Sequence, residues 1–188
     1  MFTLGVEEEL HLVAPDSLEP EPATDALLAQ GDWRAGRATG EISDGVIELI
    51  TPVSTRASAA VATLRELRAE AVGHGVGLLG AGLHPSVRFG DVRHRGGPRY
   101  GLIADSMRGV MRQTPHCGVR VHVGMPDAET AIHACNGMRK WIPLLQALSA
   151  NSPFWYGQDS GLASARSVIT NSFPRSGIPR HFDGYGDF

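Results

Sequence analysis

Two glutamates at alternate positions near the start of the chain are the residues that most clearly suggest chemistry. The stretch TLGVEEELHLV alternates apolar and polar residues and predicts a β-strand over residues 2–13. Because strand side chains alternate between two faces, Glu7 and Glu9 share one face, with His11 next in line. Paired carboxylates suit a hard cation such as Mg²⁺. The alternative is a solvent-facing strand with ordinary surface charge.

Two further carboxylates fall in apolar surroundings. Glu8 enters the apolar face of the first strand, and Glu48 lies within the apolar run VIELITPV. A buried carboxylate is costly unless it has a partner. We therefore expect Glu8 to pair with an arginine. Glu48 either forms a salt bridge as well or shares a metal ion with Glu7 and Glu9.

The segment CGVRVHVGM predicts another strand, over residues 117–125, with two polar side chains on one face. Arg120 and His122 alternate with valines there. His122 is either a hydrogen-bonded core residue or a ligand or phosphate contact. Arg120 either meets an anion or neutralises Glu48.

The C-terminal tail contains a further candidate in the run GLASARS. Small residues around Arg166 allow close approach of a ligand, and its guanidinium suits a phosphate or carboxylate. The alternative is a flexible loop, which glycine and serine describe equally well. Neither standard nucleotide loop, GxxxxGK[ST] or GxGxxG after a strand, occurs, and HExxH, CxxC and GxSxG are absent from the sequence too.

The composition narrows the class of protein. The 188 residues are 42% hydrophobic, which suits a soluble globular α/β or α+β protein, and the net charge of -3 does not favour nucleic acid or an anionic membrane as partner. The sequence has no apolar run long enough to span a membrane and no signal-peptide pattern, so we expect a cytoplasmic location. Cys117 and Cys135 do not make a disulfide framework.

The remaining pattern predicts the elements that position these side chains. The turn Ser43-Asp44-Gly45 interrupts a strand signal over residues 38–52 and predicts a hairpin. Helices are predicted over 25–30, from a cap at Thr55 to about His74, over 98–113, and from a cap at Asp127 to about 150 with a kink at Pro143. A buried strand is expected over 75–82, a surface loop over 84–98 and a short element over 162–170.

Taken together, these motifs resemble the carboxylate–amine ligase family, the second type of glutamate–cysteine ligase. The resemblance rests on TLGVEEELHLV, VIELITPV, AGLHPS, RVHVG and WIPLLQALSANSPFWYGQDSGLASARS, in the family's order over residues 2–179. It implies an α+β fold, a largely antiparallel sheet packed with helices, related to glutamine synthetase. It also implies an ATP-dependent ligase in which acidic strand residues hold Mg²⁺ and ATP.

The resemblance implies roles for the residues that match the family's motifs. The metal-binding acids would be Glu7, Glu9 and Glu48. The catalytic residues would be His122 and Arg166. The acid substrate would be glutamate, whose γ-carboxylate is phosphorylated before an amine attacks the acyl phosphate.

ATP or substrate contacts are expected from Arg120, Arg166 and Ser164. Arg120 stands where the family's HVHVG strand usually has a histidine, so it would add phosphate affinity or remove a proton-handling group. Family members are about twice as long as this chain. We therefore expect residues 1–188 to form one truncated portion of a catalytic domain, with a missing C-terminal half or a homo-oligomer as partner.

Two other functions remain open. One is a degenerate or split half that binds nucleotide or a partner chain without catalysis, and it predicts exposed apolar surface at an unpaired sheet edge. The other is a metal-dependent hydrolase. Its candidate residues would be Glu7, Glu9, Glu48 and His122.

Overall fold

The long first strand, β1 (Thr3–Val13), lies inside a five-stranded sheet in the computed structural model, which describes residues 2–174 and 176–188. One edge of β1 pairs with β3, and the other pairs with β5 near its start and β4 near its end. The other sheet strands are β2 (Arg37–Gly40), β3 (Val46–Ile50), β4 (Gly77–Leu79) and β5 (Val119–Gly124). All their pairings are antiparallel.

Helices cover or flank this sheet. They are α1 (Thr24–Gln30), α2 (Ala57–Gly73), α3 (Pro98–Met107), α4 (Ala128–Met138), α5 (Ile142–Leu148) and α6 (Arg166–Thr170). Short 3-10 helices span Arg108–Arg112, Arg139–Trp141 and Tyr185–Asp187, and a small hairpin joins β6 (Phe154–Trp155) to β7 (Gln158–Asp159). The α+β class and the largely antiparallel sheet are confirmed.

The hydrophobic core forms between α2 and one face of the sheet. Helix α2 buries residues at helical spacing, and strands β1 and β3 contribute alternate apolar residues, as period-two geometry requires. The core includes Leu10, Leu12, Ile47, Leu49, Leu64, Leu67 and Ala71. The predicted cap at Thr55 is wrong, because Arg56 occupies the N-cap position and Ser54 Oγ accepts from the Arg56 N–H at 3.1 Å.

An ion pair between a buried carboxylate and a partly exposed arginine crosses this interface. Glu8 lies on the apolar face of β1, and Arg68 of α2 donates to its two carboxylate oxygens at 2.7 and 2.5 Å. The Glu8 side chain is 9% exposed. The predicted arginine partner of Glu8 is thereby confirmed, and the bidentate geometry satisfies a carboxylate that burial alone would penalise.

The long helix predicted after Asp127 is broken into two. The Asp127 carboxylate accepts from the Thr130 N–H at 2.7 Å, which confirms the predicted cap. Pro143 lies in the first turn of α5, where its missing N–H costs least, so the chain passes through a 3-10 turn before α5 begins. The predicted strand over 75–82 is shorter, as β4 covers Gly77–Leu79.

Strand β5 leaves an apolar strip in solvent. Val119, Val121 and Val123 pair with β1 on the face that α2 covers elsewhere, yet they are 60%, 62% and 47% exposed. In the described ranges, β5 pairs with β1 and with no strand on its outer edge.

None of the helices in those ranges is long and apolar enough to cross a membrane.

Candidate active site

The register of the sheet gathers the predicted polar side chains on the face opposite α2. Glu9 of β1 lies directly opposite Glu48 of β3, and Glu7 lies opposite Arg120 of β5. Directly opposed residues of antiparallel strands project to the same face. Three segments that are far apart in sequence therefore bring their side chains together.

Three carboxylates form the tightest group on this face. Each of Glu9, Glu41 and Glu48 offers an oxygen, and these atoms lie within 4.8 Å of one another, close enough to bind one cation. The sequence analysis missed Glu41. It follows β2 directly, and its N–H donates to the Val46 carbonyl at 3.4 Å, so the hairpin register turns it toward Glu48.

Among the described residues, Glu7 does not belong to this carboxylate group. Its Oε2 atom is 3.2 Å from His122 Nε2 and 3.5 Å from Arg120 Nη1. The His122 side chain is 60% exposed, so the alternative of a hydrogen-bonded core histidine is wrong. Glu7 and His122 instead form a polar pair beside the carboxylates.

Arg120 is the cation already present among these acids. Its Nη1 group donates to Glu48 Oε1 at 2.6 Å, and its Nη2 group donates to Glu9 Oε1. Of the two alternatives for Arg120, the structure shows the ion pair with Glu48.

The electrostatics of the group favour added positive charge. Burial raises the pKa of Glu9, and Glu41 and Glu48 raise it further, while Arg120 opposes the shift. Burial also raises the pKa of Glu48, with Glu41 and Glu7 adding to the effect. One guanidinium among these carboxylates does not cancel their mutual repulsion, and a divalent cation would do so more fully.

Arg166 lies near Gly118 and Glu9. Its Nε group donates to the Cys117 carbonyl at 2.7 Å. A Cβ atom at Gly118 would lie 2.9 Å from Arg166 Nη2 and 3.8 Å from Glu9 Oε2, so glycine leaves the space that this approach needs. Arg166 and Glu9 line one pocket.

Asn151 and Ser152 link the tail to other parts of the chain. Asn151 accepts from the Gly82 N–H at 3.0 Å and donates to the Gly80 carbonyl at 3.1 Å. Ser152 forms a β-bridge with Ser164, next to the start of α6. Asn151 lines the pocket with Arg166, whereas Ser164 is not among the described residues that line it. The sequence analysis missed Asn151, although it lies inside the ALSANSPFW run.

Glu9 also lines a second pocket. Glu41 and Arg120 form its polar wall, and Met111 and Phe173 contribute to its apolar wall. His116 also lines it, and burial, with Arg166 and Arg120 adding, lowers the pKa of His116 to about 4. The imidazole is therefore neutral near pH 7, and the pocket combines an acidic edge with an apolar interior.

Comparison with known proteins identifies the family of this chain. Residues 3–188 match the model of glutamate-cysteine ligase family 2. The chain belongs to this family. It is 39% identical over 193 residues to a glutamate–cysteine ligase of Halobacterium salinarum, with 99% of this chain and 53% of that protein covered. A relative in Haloferax volcanii, also named glutamate–cysteine ligase, is 38% identical over 195 residues and covers 100% of this chain.

The family's relatives extend beyond the region matched here. A putative glutamate–cysteine ligase of Rubrobacter xylanophilus is 35% identical over 193 residues, and 53% of it is covered. The chain spans about half the length of the curated relatives it matches.

Solved structures share the fold at low sequence identity. A glutamate–cysteine ligase of Francisella tularensis in complex with AMP superposes with a TM-score of 0.63 at 16% identity, covering 81% of this chain and 35% of that one. A bifunctional glutathione synthetase of Pasteurella multocida gives a TM-score of 0.64 at 15% identity, covering 93% and 28%. The chain therefore shares its fold with part of each of these two proteins.

Proposed function

We propose that this chain supplies the acidic strand face of an ATP-dependent carboxylate–amine ligase that joins glutamate to an amine. The observation that carries the proposal is the meeting of Glu9, Glu41 and Glu48 within 4.8 Å in a chain of glutamate-cysteine ligase family 2. The AMP complex of the Francisella tularensis neighbour supports a nucleotide ligand. We also propose that residues 1–188 are one portion of the catalytic domain.

The donor set fits Mg²⁺. Glu9, Glu41 and Glu48 provide hard oxygen ligands, which this ion prefers, and their mutual repulsion falls when a divalent cation binds. Glu7 is proposed as an additional acid at the rim. A bound Mg²⁺ would neutralise charge on the nucleotide phosphates.

The chain's own residues would orient the acid substrate. Arg166 is held at Nε by the Cys117 carbonyl, and its Nη2 group lies beside Gly118, near Glu9. We propose that this guanidinium binds a carboxylate or phosphate oxygen of the reacting group, since a planar fork matches both. Ser164 is proposed to shape the turn that precedes Arg166 and to contact the same ligand.

Proton handling falls to the pair at the edge of the face. His122 lies 3.2 Å from Glu7 and is exposed to an approaching amine. We propose that this pair accepts a proton from the amine as the amine attacks the acyl phosphate, or contacts the phosphate. Arg120 is the other proposed phosphate contact.

Calorimetric titration of Mg-ATP into the full chain tests the proposal. The Glu9→Gln and Glu48→Gln variants should bind Mg-ATP at least about tenfold more weakly than the wild type. Glu66→Gln is the matched control because Glu66 is exposed on α2, on the other face of the sheet. Equal affinity in all four proteins, or no binding by the wild type, would contradict the proposal.

A second candidate function rests on the apolar strip. Val119, Val121 and Val123 are exposed at an edge strand, as a degenerate or split half that binds a partner chain predicts. Sedimentation of the wild type and of Val121→Lys tests it. Self-association that disappears in the variant would support the candidate, and a monomer at all concentrations would argue against a homo-oligomer. The hydrolase alternative gains nothing from the family assignment.

A further inference from the structure

Arg120 occupies the position between two carboxylates that also belong to the candidate cation group. Its guanidinium donates to Glu48 at 2.6 Å and to Glu9 through its other terminal nitrogen. The same two acids form that group with Glu41. An internal cation and an external cation therefore compete for the same side chains.

The carboxylates need a positive partner at all times. The side chains of Glu9 and Glu48 are 6% and 10% exposed, and unpaired buried carboxylates are strongly unfavourable. Arg120 provides that partner in the absence of a metal ion. This arrangement allows the strands to pair before any ligand binds.

The head group of Arg120 can also move away from the two carboxylates. Its side chain is 47% exposed, and it projects from β5, which pairs with β1 alone in the described ranges. A long charged side chain at a sheet edge can move its head group into water without disturbing the core.

We propose that Arg120 is an internal counter-ion that a divalent cation must displace from Glu9 and Glu48, and that it thereby sets the cation affinity of the site. The inference rests on the proposed function, because it takes the carboxylate group as a metal site. A divalent ion and a guanidinium on the same carboxylates repel each other, so each binds more weakly when the other is present. Arg120 is then a residue that tunes binding, and it acts through the two acids.

Manganese binding to the nucleotide-free full chain tests the inference. Free Mn²⁺ is measured by electron paramagnetic resonance for the wild type, Arg120→Gln and Arg120→Lys. We expect Arg120→Gln to bind Mn²⁺ at least about tenfold more tightly than the wild type, with Arg120→Lys in between. Arg65→Gln, an exposed arginine change on α2, should match the wild type. Adding Glu48→Gln to Arg120→Gln should abolish the gain.

A second measurement tests the inference if Arg120→Gln folds poorly. Without its counter-ion, Arg120→Gln should melt at a lower temperature in EDTA and recover with Mn²⁺. If it does not fold at all, the wild type still decides, because Mn²⁺ should accelerate phenylglyoxal modification of Arg120, mapped by mass spectrometry.

The outcomes separate the two proposals. If the wild type binds Mn²⁺ and Arg120→Gln binds it equally or more weakly, the counter-ion inference is overturned and the metal site stands. Unchanged phenylglyoxal modification with Mn²⁺ bound overturns it as well. If no protein binds Mn²⁺ at millimolar concentration, the metal site of the proposed function fails and the inference fails with it.

Discussion

Glu9 and Glu48 lie directly opposite each other on adjacent antiparallel strands, and one guanidinium, that of Arg120, bonds to both carboxylates. Like charges at directly opposed positions destabilise a sheet unless something bridges them. Burial raises the pKa of both acids, and Glu41 adds to each shift. The sheet therefore holds a cluster of negative charge at some cost in stability, and this cluster is the proposed cation site.

Removing the charge of Glu41 should stabilise the fold and weaken cation binding. Because Glu41 repels the other two acids, we expect Glu41→Gln to raise the free energy of unfolding in EDTA by roughly 0.5–1 kcal/mol. The same variant should bind Mn²⁺ more weakly, since one of three ligands loses its charge. Urea unfolding and Mn²⁺ titration check the two effects. A variant that is less stable in EDTA than the wild type would contradict this account.

The ion pair between Glu8 and Arg68 should be sensitive to loss of its arginine, because the Glu8 carboxylate is buried. Arg68→Ala leaves the Glu8 carboxylate buried without its cation, and we expect a loss of about 2–3 kcal/mol in the free energy of unfolding. Arg65→Ala on the exposed face of the same helix should cost less than about 0.5 kcal/mol. Replacing both members of the pair, Glu8→Leu with Arg68→Met, should recover most of the loss. Equal effects of Arg68→Ala and Arg65→Ala in urea unfolding would count against the pair.

Gly118 should control the position of Arg166. In Gly118→Ala, the new Cβ would lie 2.9 Å from Arg166 Nη2, so the guanidinium has to move from its present position. We expect Mg-ATP affinity to fall about tenfold while the free energy of unfolding changes by less than about 1 kcal/mol. Calorimetry and urea unfolding measure the two quantities.

Gly137→Ala is the matched control for that change. A Cβ at Gly137, in α4, meets none of the described atoms within 4 Å. Alanine in a helix should leave Mg-ATP affinity unchanged and add up to about 1 kcal/mol of stability. If Gly118→Ala binds Mg-ATP as Gly137→Ala does, Arg166 does not act in nucleotide binding.

Acid should destabilise the protein through His11. Burial, with nearby His84 adding, lowers the pKa of His11 from 6.5 to about 3, so below pH 6.5 the unfolded chain binds a proton that the folded chain excludes. The stability contributed by neutral His11 is present above pH 6.5 and is lost as the pH falls toward 3. Between pH 7 and pH 4.5 this amounts to about 2.5 kcal/mol.

The comparison with His11→Asn isolates this effect. The variant replaces the imidazole with a short amide that does not titrate. Its free energy of unfolding should therefore fall less than that of the wild type over the same pH range. His74→Asn, at an exposed position after α2, should follow the wild type. Parallel curves for the wild type and His11→Asn would contradict the prediction, because they would show that His11 takes up a proton equally in the folded and unfolded chains.

Several features of the site were predictable because they depend on local periodicity. Strand alternation predicted that Glu7 and Glu9 share a face and that Glu8 enters the core to meet an arginine, and the structure agrees. The motifs also identified the family, which the match over residues 3–188 confirms. The roles of His122, Arg166 and Ser164 remain predictions.

Other features depended on contacts between distant segments. Glu41 joins Glu9 and Glu48 because of the exact hairpin register, which apolar alternation does not specify. Arg120 bonds to both opposed acids because β5 pairs with β1 at a particular register, and the helix predicted to begin from a cap at Thr55 has Arg56 at its N-cap.

The sequence by itself determined which residues face together along each strand, since a period of two is built into the backbone. It also determined the family, through motifs that need no coordinates to recognise. Only the tertiary structure decided that Glu41 completes the carboxylate group and that Arg120 bridges Glu9 and Glu48. The physical reason is that side-chain distances across a sheet depend on strand order and register, which the packing of the whole chain determines.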